Sequence, residues 1–221
     1  MSDDPASLDA DADATVPHAA GDPVSIDGRT LRARRTRTAV VDALLALVVE
    51  GDLRPTGPRI AERAGVSLRS VFQHFDDLEA LFAVATERQT ERIFSLITPL
   101  PGDGPRAERL DAFLDERVRV LDAITPVRLS ARLQEPFSAT LRAGRDKMID
   151  LSRVEIAHVF GPELAAVSAY PARCADLLEA LVAAATWNTW EALHLLQRLP
   201  VEDARRVMRH TISALLATTD R

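Results

Sequence analysis

Two side chains that can read nucleic-acid bases stand four residues apart in the segment 67–75, SLRSVFQHF. Because a helix turns by about 100° per residue, Arg69 and Gln73 fall on one helical face, and Ser70 flanks them. Three apolar side chains fall toward the other face: Leu68, Val71 and Phe75. A guanidinium and a side-chain amide suit base edges in the major groove of DNA. The pattern therefore predicts an amphipathic helix whose polar face binds DNA.

The residues before this helix predict the rest of a helix-turn-helix. Ile60, Ala61 and Ala64 recur at helical spacing, and Gly65 interrupts the run where the chain must reverse, often with a positive φ. Ser67 can cap the second helix by accepting a hydrogen bond from a backbone N–H that lacks a helical partner. Short helix pairs with a glycine turn also occur in helical proteins that bind no DNA, so these residues alone leave both interpretations open.

The run RIAERAGVSLRSVFQHF at 59–75, followed by DDLEALF at 76–82, resembles the N-terminal DNA-binding domain of TetR-family transcriptional regulators. The similarity covers residues 35–85 and rests on the IAxxAGVS turn, the aromatic-x-His-Phe ending and the start of a fourth helix. Phe72 stands where the family usually has tyrosine, and Leu78 where it usually has lysine. Two groups that would contact phosphates are therefore missing. Beyond residue 85 the resemblance is one of length and helical character.

The side-chain chemistry and the resemblance together predict the DNA contacts. Arg69 and Gln73 are the expected base contacts, whereas Ser70, His74 and Arg59 are expected to hold phosphates. The whole predicted set is Arg32, Arg35, Arg37, Thr56, Arg59, Ser67, Leu68, Arg69, Ser70, Phe72, Gln73 and His74.

The distribution of charge favours DNA binding, although the whole chain has a net charge of −6. Residues 1–28 contain seven aspartates, no lysine or arginine and almost no large apolar side chain, which predicts a disordered acidic tail. Residues 29–75 contain nine arginines and four acidic residues, a net charge of +5. Five of these arginines lie within 29–37, where we expect an arm that precedes the first helix and reaches phosphates or a minor groove; the alternative is a solvated start of that helix.

Helical periodicity and proline positions predict an all-α protein. The resemblance implies two domains: a three-helix helix-turn-helix DNA-binding domain over residues 29–76, and a helical ligand-binding and dimerisation domain over 77–221. Asp76 is predicted to cap the helix that links the domains, with Glu79 in capping-box spacing. Pro126 is predicted to begin a new helix, and residues 171–199 are predicted to form one long apolar helix.

The last two helices are rich in apolar residues, which either close the core of the monomer or form a dimer interface. The resemblance implies the second, as a homodimer that binds a palindromic operator in double-stranded DNA. It also implies a small, mostly apolar effector in the C-terminal domain. Candidates for that pocket are Arg132, Phe137, Tyr170, Trp187 and Trp190, although aromatic residues in a helical bundle more often belong to the core.

Several classes of function lack support in the sequence. Histidine, cysteine and carboxylate residues do not cluster with metal-ligand spacing, and no phosphate-binding glycine loop, dinucleotide fingerprint or nucleophile motif occurs. We therefore expect no metal, no cofactor and no catalytic residue. The single cysteine, the acidic N-terminus and the absence of an apolar run of about 20 residues favour a cytoplasmic protein outside the membrane.

The side-chain and charge patterns predict a DNA-binding protein, and the resemblance implies that it is a ligand-responsive transcriptional regulator that acts as a repressor. Two alternatives stay open. One is a helical protein-interaction module with a weakened DNA-binding head, and the other is an α-helical enzyme.

Overall fold

The computed structural model describes residues 28–95 and 97–220, apart from the side chains of Arg29 and Asp220. Within those ranges the chain forms ten α-helices and no strand, which confirms the predicted all-α fold. The helices are α1 Gly28–Val49, α2 Gly57–Ala64, α3 Leu68–His74, α4 Leu78–Phe94, α5 Arg106–Arg132, α6 Ala139–Val159, α7 Gly161–Ala166, α8 Pro171–Ala184, α9 Trp187–Trp190 and α10 Val201–Leu216. The predicted disordered tail lies outside the described residues, except for Gly28, where α1 begins.

The arginines predicted to form an arm belong to α1 itself, so that prediction was wrong. Residues 29–49 contain neither glycine nor proline, and arginine, alanine and leucine favour a helix, so nothing ends the helix before Val49. The helices α1, α2 and α3 form the part of the chain that we call the head. The C-terminal half of α1 contributes an apolar face to its core, with Val40, Val41 and Leu44 buried.

The helix-turn-helix forms as predicted from α2, a glycine turn and α3. Gly65 has φ 67°, a left-handed conformation in which a side chain would be strained. Ser67 caps α3, because its Oγ accepts a hydrogen bond from the backbone N–H of Ser70 at 3.1 Å. Both local sequence signals therefore act as expected.

The helix α4 connects the head to the rest of the chain. Its cap is Asp77, which accepts from the N–H of Ala80 at 2.8 Å, and not Asp76 as predicted. The two neighbouring aspartates offer the same group, and the helix begins one residue later than the capping-box spacing indicated. Leu81, Phe82 and Ala85 of α4 pack into the core of the head.

The helix α5 runs through Pro126 without a break, so the prediction of a new helix there was wrong. Proline removes one backbone hydrogen bond and disfavours a helical residue before it. That residue, Thr125, is held in the helix by a 2.7 Å hydrogen bond from its Oγ1 to the carbonyl of Leu121. Beyond the proline, Val127 is buried in the core of the head.

The predicted long helix over 171–199 is instead two helical pieces. The helix α8 ends at Ala184, and α9 starts at Trp187 and continues as a π-helical segment, Glu191–Leu196. The Thr186 and Thr189 hydroxyls both donate to the carbonyl of Ala183, at 3.0 and 2.7 Å. These side chains compete with the backbone at the break, a local effect that apolar periodicity does not reveal.

The helices α5 to α10 enclose a second apolar core, and we call this part of the chain the body. Most of the large apolar residues predicted for the last two helices are buried in it: Leu177, Leu181, Val182, Leu193, Ile212 and Leu216. These residues complete the core of the monomer, which was one of the two interpretations of the apolar pattern in the last helices. No helix in the described ranges is long and apolar enough to span a membrane.

Candidate nucleic-acid interface

The outer surface of α3 carries the two predicted base-reading groups. Arg69 and Gln73 are exposed, and Ser70 is half-buried beside them. Val71 and Phe75, on the other side of α3, are 0% and 4% exposed and pack into the core of the head. Arg69 forms no ion pair with any residue that the structure describes, so its guanidinium can bind an external acceptor.

Leu68 is 40% exposed, so its predicted place on the buried apolar face was wrong. It is the first residue of α3 and lies against the N-terminus of α2, where Gly57 leaves space for it. A Cβ added at Gly57 would lie 3.0 Å from Leu68 Cδ1 and 3.5 Å from Phe72 Cζ. Phe72 is 44% exposed. The two side chains therefore rest on α2 and remain on the outer surface of α3.

The arginines of α1 divide into two kinds. Arg37 donates from Nη1 to the backbone carbonyl of His74 at 2.8 Å, and its guanidinium lies 4.4 Å from the centroid of the Phe75 ring. These contacts fix α1 against the C-terminal end of α3. Arg32 and Arg35 are exposed five and two residues before Arg37, and neither has an ion pair within the described residues. They project an unneutralised positive charge beyond the end of α3.

Acidic residues of the head partly neutralise two further arginines. Arg59 forms an ion pair with Asp52 at 2.8 Å, and its side chain remains 60% exposed. Arg63 donates to both carboxylate oxygens of Glu50, at 2.9 and 2.6 Å, and these hydrogen bonds lower the pKa of Glu50. Thr56 occupies the N-cap position of α2, but its hydroxyl does not cap the helix. That hydroxyl is exposed and can donate to an external group.

A groove of about 360 Å³ opens in the body at the end of α4, against α5 and α6. Arg117 donates to Ser152 Oγ at 2.9 Å and pairs with Glu155 along one wall, and burial lowers the pKa of Arg117. The other walls are mainly apolar and include Phe94, Leu100, Val120, Met148, Leu151 and Val154. Such a lining suits a small, mostly apolar molecule with one polar group.

The predicted pocket residues do not line this groove. Phe137 and Tyr170 are 85% and 65% exposed. The other three gather where α5 meets α9. Trp187 Nε1 donates to Thr125 Oγ1 at 3.2 Å, Arg132 pairs with Glu191, and Trp190 is fully buried.

One wall of the groove, on α6, has a sequence signal that could have been recognised. Met148, Leu151 and Val154 recur every three residues along α6, apart from its buried residues Leu141, Ile156 and Val159. Aromatic residues drew the prediction elsewhere, but the groove is lined mostly by aliphatic side chains. No group of three or more histidine, cysteine or carboxylate residues in the described ranges lies close enough together to hold a metal ion.

Two solved structures have a similar arrangement of helices. A tetR-family transcriptional regulator from Streptomyces coelicolor superposes with a TM-score of 0.67 and 21% sequence identity, over 84% of this chain and 82% of that one. The chain has the TetR-regulator fold. A transcriptional regulator from Rhodococcus sp. Rha1 superposes with a TM-score of 0.60 and 19% identity, over 84% of this chain and 96% of the other. No family model and no curated protein matches the sequence.

The TetR-like fold accounts for the division between head and body. The superposition with each regulator covers 84% of this chain, which is far more than the 35–85 segment whose motifs resemble the family. The body therefore shares the fold although its sequence carries no recognisable motif. At identities of 19–21% this likeness concerns the fold, and the function has to be argued from the residues of this chain.

Proposed function

We propose that the chain is a DNA-binding transcriptional regulator whose α3 helix enters the major groove. The observation that carries the proposal is the outer face of α3, where Arg69 and Gln73 are exposed four residues apart and Arg69 is unpaired within the described residues. Spaced at one helical turn, they can contact neighbouring base pairs, with arginine suited to guanine and glutamine to adenine.

Phosphate contacts would come from the groups around that face. Arg32 and Arg35 project from α1, Arg59 and Thr56 lie at the start of α2, and all four are exposed. Ser67, Ser70 and His74 complete the predicted set, although the Ser67 hydroxyl is already used as a helix cap and Ser70 and His74 are half-buried. These contacts set affinity and register, and the base contacts set sequence preference.

We also propose that the protein acts as a homodimer on a palindromic operator. The apolar residues of α8 and α10 are mostly used in the core of the monomer, so support comes from what remains exposed. In α8 that is a stripe of Ala172, Ala175 and Ala183, which also contains Asp176 and Glu179, and in α10 one containing Val207, Thr211 and Ala214. The small side chains on these two packed helices allow a second pair of helices to approach closely.

The groove at the end of α4 is the proposed effector site. A ligand there would contact Phe94 at one end of α4, while Leu81 and Phe82 at the other end belong to the core of the head. The helix α5 adds a second connection, because it lines the groove and also packs against the head through Val127. A ligand releases the operator only if it binds more tightly to the arrangement in which the spacing of the two heads does not match the two half-sites. A protein that leaves its operator in this way would act as a repressor.

The test of the central proposal is the effect of Arg69→Ala on binding to a selected operator duplex and to a random-sequence duplex of equal length. If Arg69 reads a base, the substitution should cost about 1–3 kcal/mol on the operator and much less on random DNA. Equal losses on both duplexes would make Arg69 a phosphate contact. Arg54→Ala is the matched control, because Arg54 is an exposed arginine of the same head that lies outside α3.

A further inference from the structure

Two large apolar side chains lie exposed on the surface that is proposed to face DNA. Leu68 and Phe72 are 40% and 44% exposed, and they stand one helical turn apart on α3. Each of the two precedes a polar residue, Arg69 or Gln73, by one position, so the two stripes are about 100° apart around the helix. The apolar stripe therefore lies between the buried face of α3 and its polar face.

The contact with α2 holds these two side chains in position. Gly57 lies so close to both that a Cβ there would approach Leu68 Cδ1 to 3.0 Å and Phe72 Cζ to 3.5 Å. One side of each side chain is therefore occupied by the backbone of α2. Their exposed parts point away from the core of the head and form an apolar surface that is fixed before any ligand binds.

The surroundings of this apolar pair identify its ligand. The same head carries exposed arginines at 32, 34, 35, 59 and 69, and four of them have no ion pair within the described residues. A polyanion is the complementary partner for that charge. The major groove of duplex DNA presents one apolar group to a protein, the C5-methyl group of thymine.

We propose that Leu68 and Phe72 read thymine methyl groups beside the base pairs contacted by Arg69 and Gln73. The inference rests on the proposed function and assigns a specificity role to the two residues. Phe72 has no hydroxyl with which to bind a phosphate oxygen, so its contribution on this face is apolar contact. Leu68 likewise offers only methyl groups. The half-site bound by α3 then contains thymines at positions flanking the contacts of the two polar residues.

The experiment removes the methyl groups and nothing else. An operator duplex obtained by selection is prepared with each thymine replaced in turn by deoxyuridine, and its affinity for the full chain is measured by fluorescence anisotropy. For wild type we expect a loss of about fourfold at one or two thymines of each half-site, from about 0.8 kcal/mol per buried methyl-sized group. Thymines outside those positions should be replaceable without loss.

The variants Leu68→Ala and Phe72→Ala assign each methyl group to a side chain. Each should bind the thymine duplex more weakly than wild type and lose its sensitivity to deoxyuridine at one position. Leu31→Ala is the matched control, because Leu31 is also 40% exposed but lies on α1. It should keep the wild-type sensitivity at every position.

Three outcomes would overturn the inference. If wild type binds every deoxyuridine duplex as tightly as the thymine duplex, the methyl groups are not read, while sequence-specific binding itself stands. If both alanine variants stay as sensitive as wild type, the effect belongs to the DNA and not to Leu68 or Phe72. If no operator can be selected at all, the proposed function fails and this inference fails with it.

Discussion

Ser130 of α5 donates a hydrogen bond from its Oγ to the backbone carbonyl of Leu53 at 2.8 Å, and thereby joins the body to the loop before α2. The Ser130 side chain is buried, and the two residues are 77 positions apart in the chain. Val127 of α5 is also buried in the core of the head. The head and the body are therefore connected by α5 as well as by α4.

Removing that bond should loosen the head. Ser130→Ala leaves the carbonyl of Leu53 without its partner, and we expect a loss of about 1–3 kcal/mol in unfolding free energy. Urea denaturation followed by circular dichroism measures it. Ser168→Ala is the control, because the Ser168 hydroxyl bonds to Ala165 within an exposed local turn. Equal stability of the two variants would contradict a structural role for the Ser130 bond.

Neighbouring arginines of α1 should have different roles. Arg37→Ala removes the bond to the His74 carbonyl and the contact with the Phe75 ring, so it should lower the unfolding free energy by about 1 kcal/mol. Arg35→Ala touches no described partner and should leave stability unchanged. It should instead weaken binding to all DNA sequences alike and reduce the salt-dependence slope by about 0.9 if one phosphate contact is lost. Identical behaviour of the two variants would refute this division.

The proposed dimer predicts a specific effect of charge on α10. Ala214→Arg places a long cation in the exposed small-residue stripe of that helix, and sedimentation velocity should then show a monomer where wild type is a dimer. The control is Ala143→Arg, because Ala143 is an exposed alanine of α6. A dimer that survives Ala214→Arg, or a wild-type monomer at micromolar concentration, would contradict the proposed interface.

The buried ion pair between Glu163 and Arg109 in the body predicts that the fold is less stable in acid. Burial would raise the pKa of Glu163, but hydrogen bonds from Arg109 and Arg106 outweigh it, so the pKa lies below the model-compound value of 4.5. A lowered folded-state pKa contributes stability above the unfolded-state value and loses it as the pH falls through the folded-state value. The unfolding free energy of wild type should therefore decrease as the pH falls below about 4.5.

Glu163→Gln tests the same pair. It leaves the guanidinium of Arg109, which is 3% exposed, without its charged partner, so stability at neutral pH should fall by about 3–5 kcal/mol. Its unfolding free energy should also depend less on pH in the acid range. Glu179→Gln breaks an exposed pair with Arg153 and should have a much smaller effect. If the unfolding free energies of wild type and Glu163→Gln depended equally on pH, the Glu163–Arg109 pair would not be the cause of the acid sensitivity.

The head was the part of the fold that local sequence signals could predict. Gly65 and Ser67 act in the turn as their residue types require, because each controls the backbone within three residues of itself. Leu68 was placed wrongly because its environment depends on Gly57, a residue of another helix that helical periodicity does not consider.

The body was predicted less well because its helix boundaries depend on contacts distant in sequence. Pro126 normally favours a helix start, yet α5 continues past it and Val127 reaches the core of the head. The break before Trp187 depends on two threonine hydroxyls that share one carbonyl. The groove at the end of α4 combines residues from three helices and a loop, and no single stretch of sequence carries its pattern.

Sequence-specific regulation is tested by selection of bound duplexes from a random DNA pool by the full chain, at two salt concentrations. We expect enrichment of a palindrome that persists at the higher salt, since base contacts by Arg69 and Gln73 do not depend on counterion release alone. The two half-sites should lie about 34–36 Å apart, or a multiple of that spacing, as a homodimer requires. Weak binding without sequence preference at both salt concentrations would leave only electrostatic attraction. That result would contradict a sequence-specific regulator and favour a protein-interaction module.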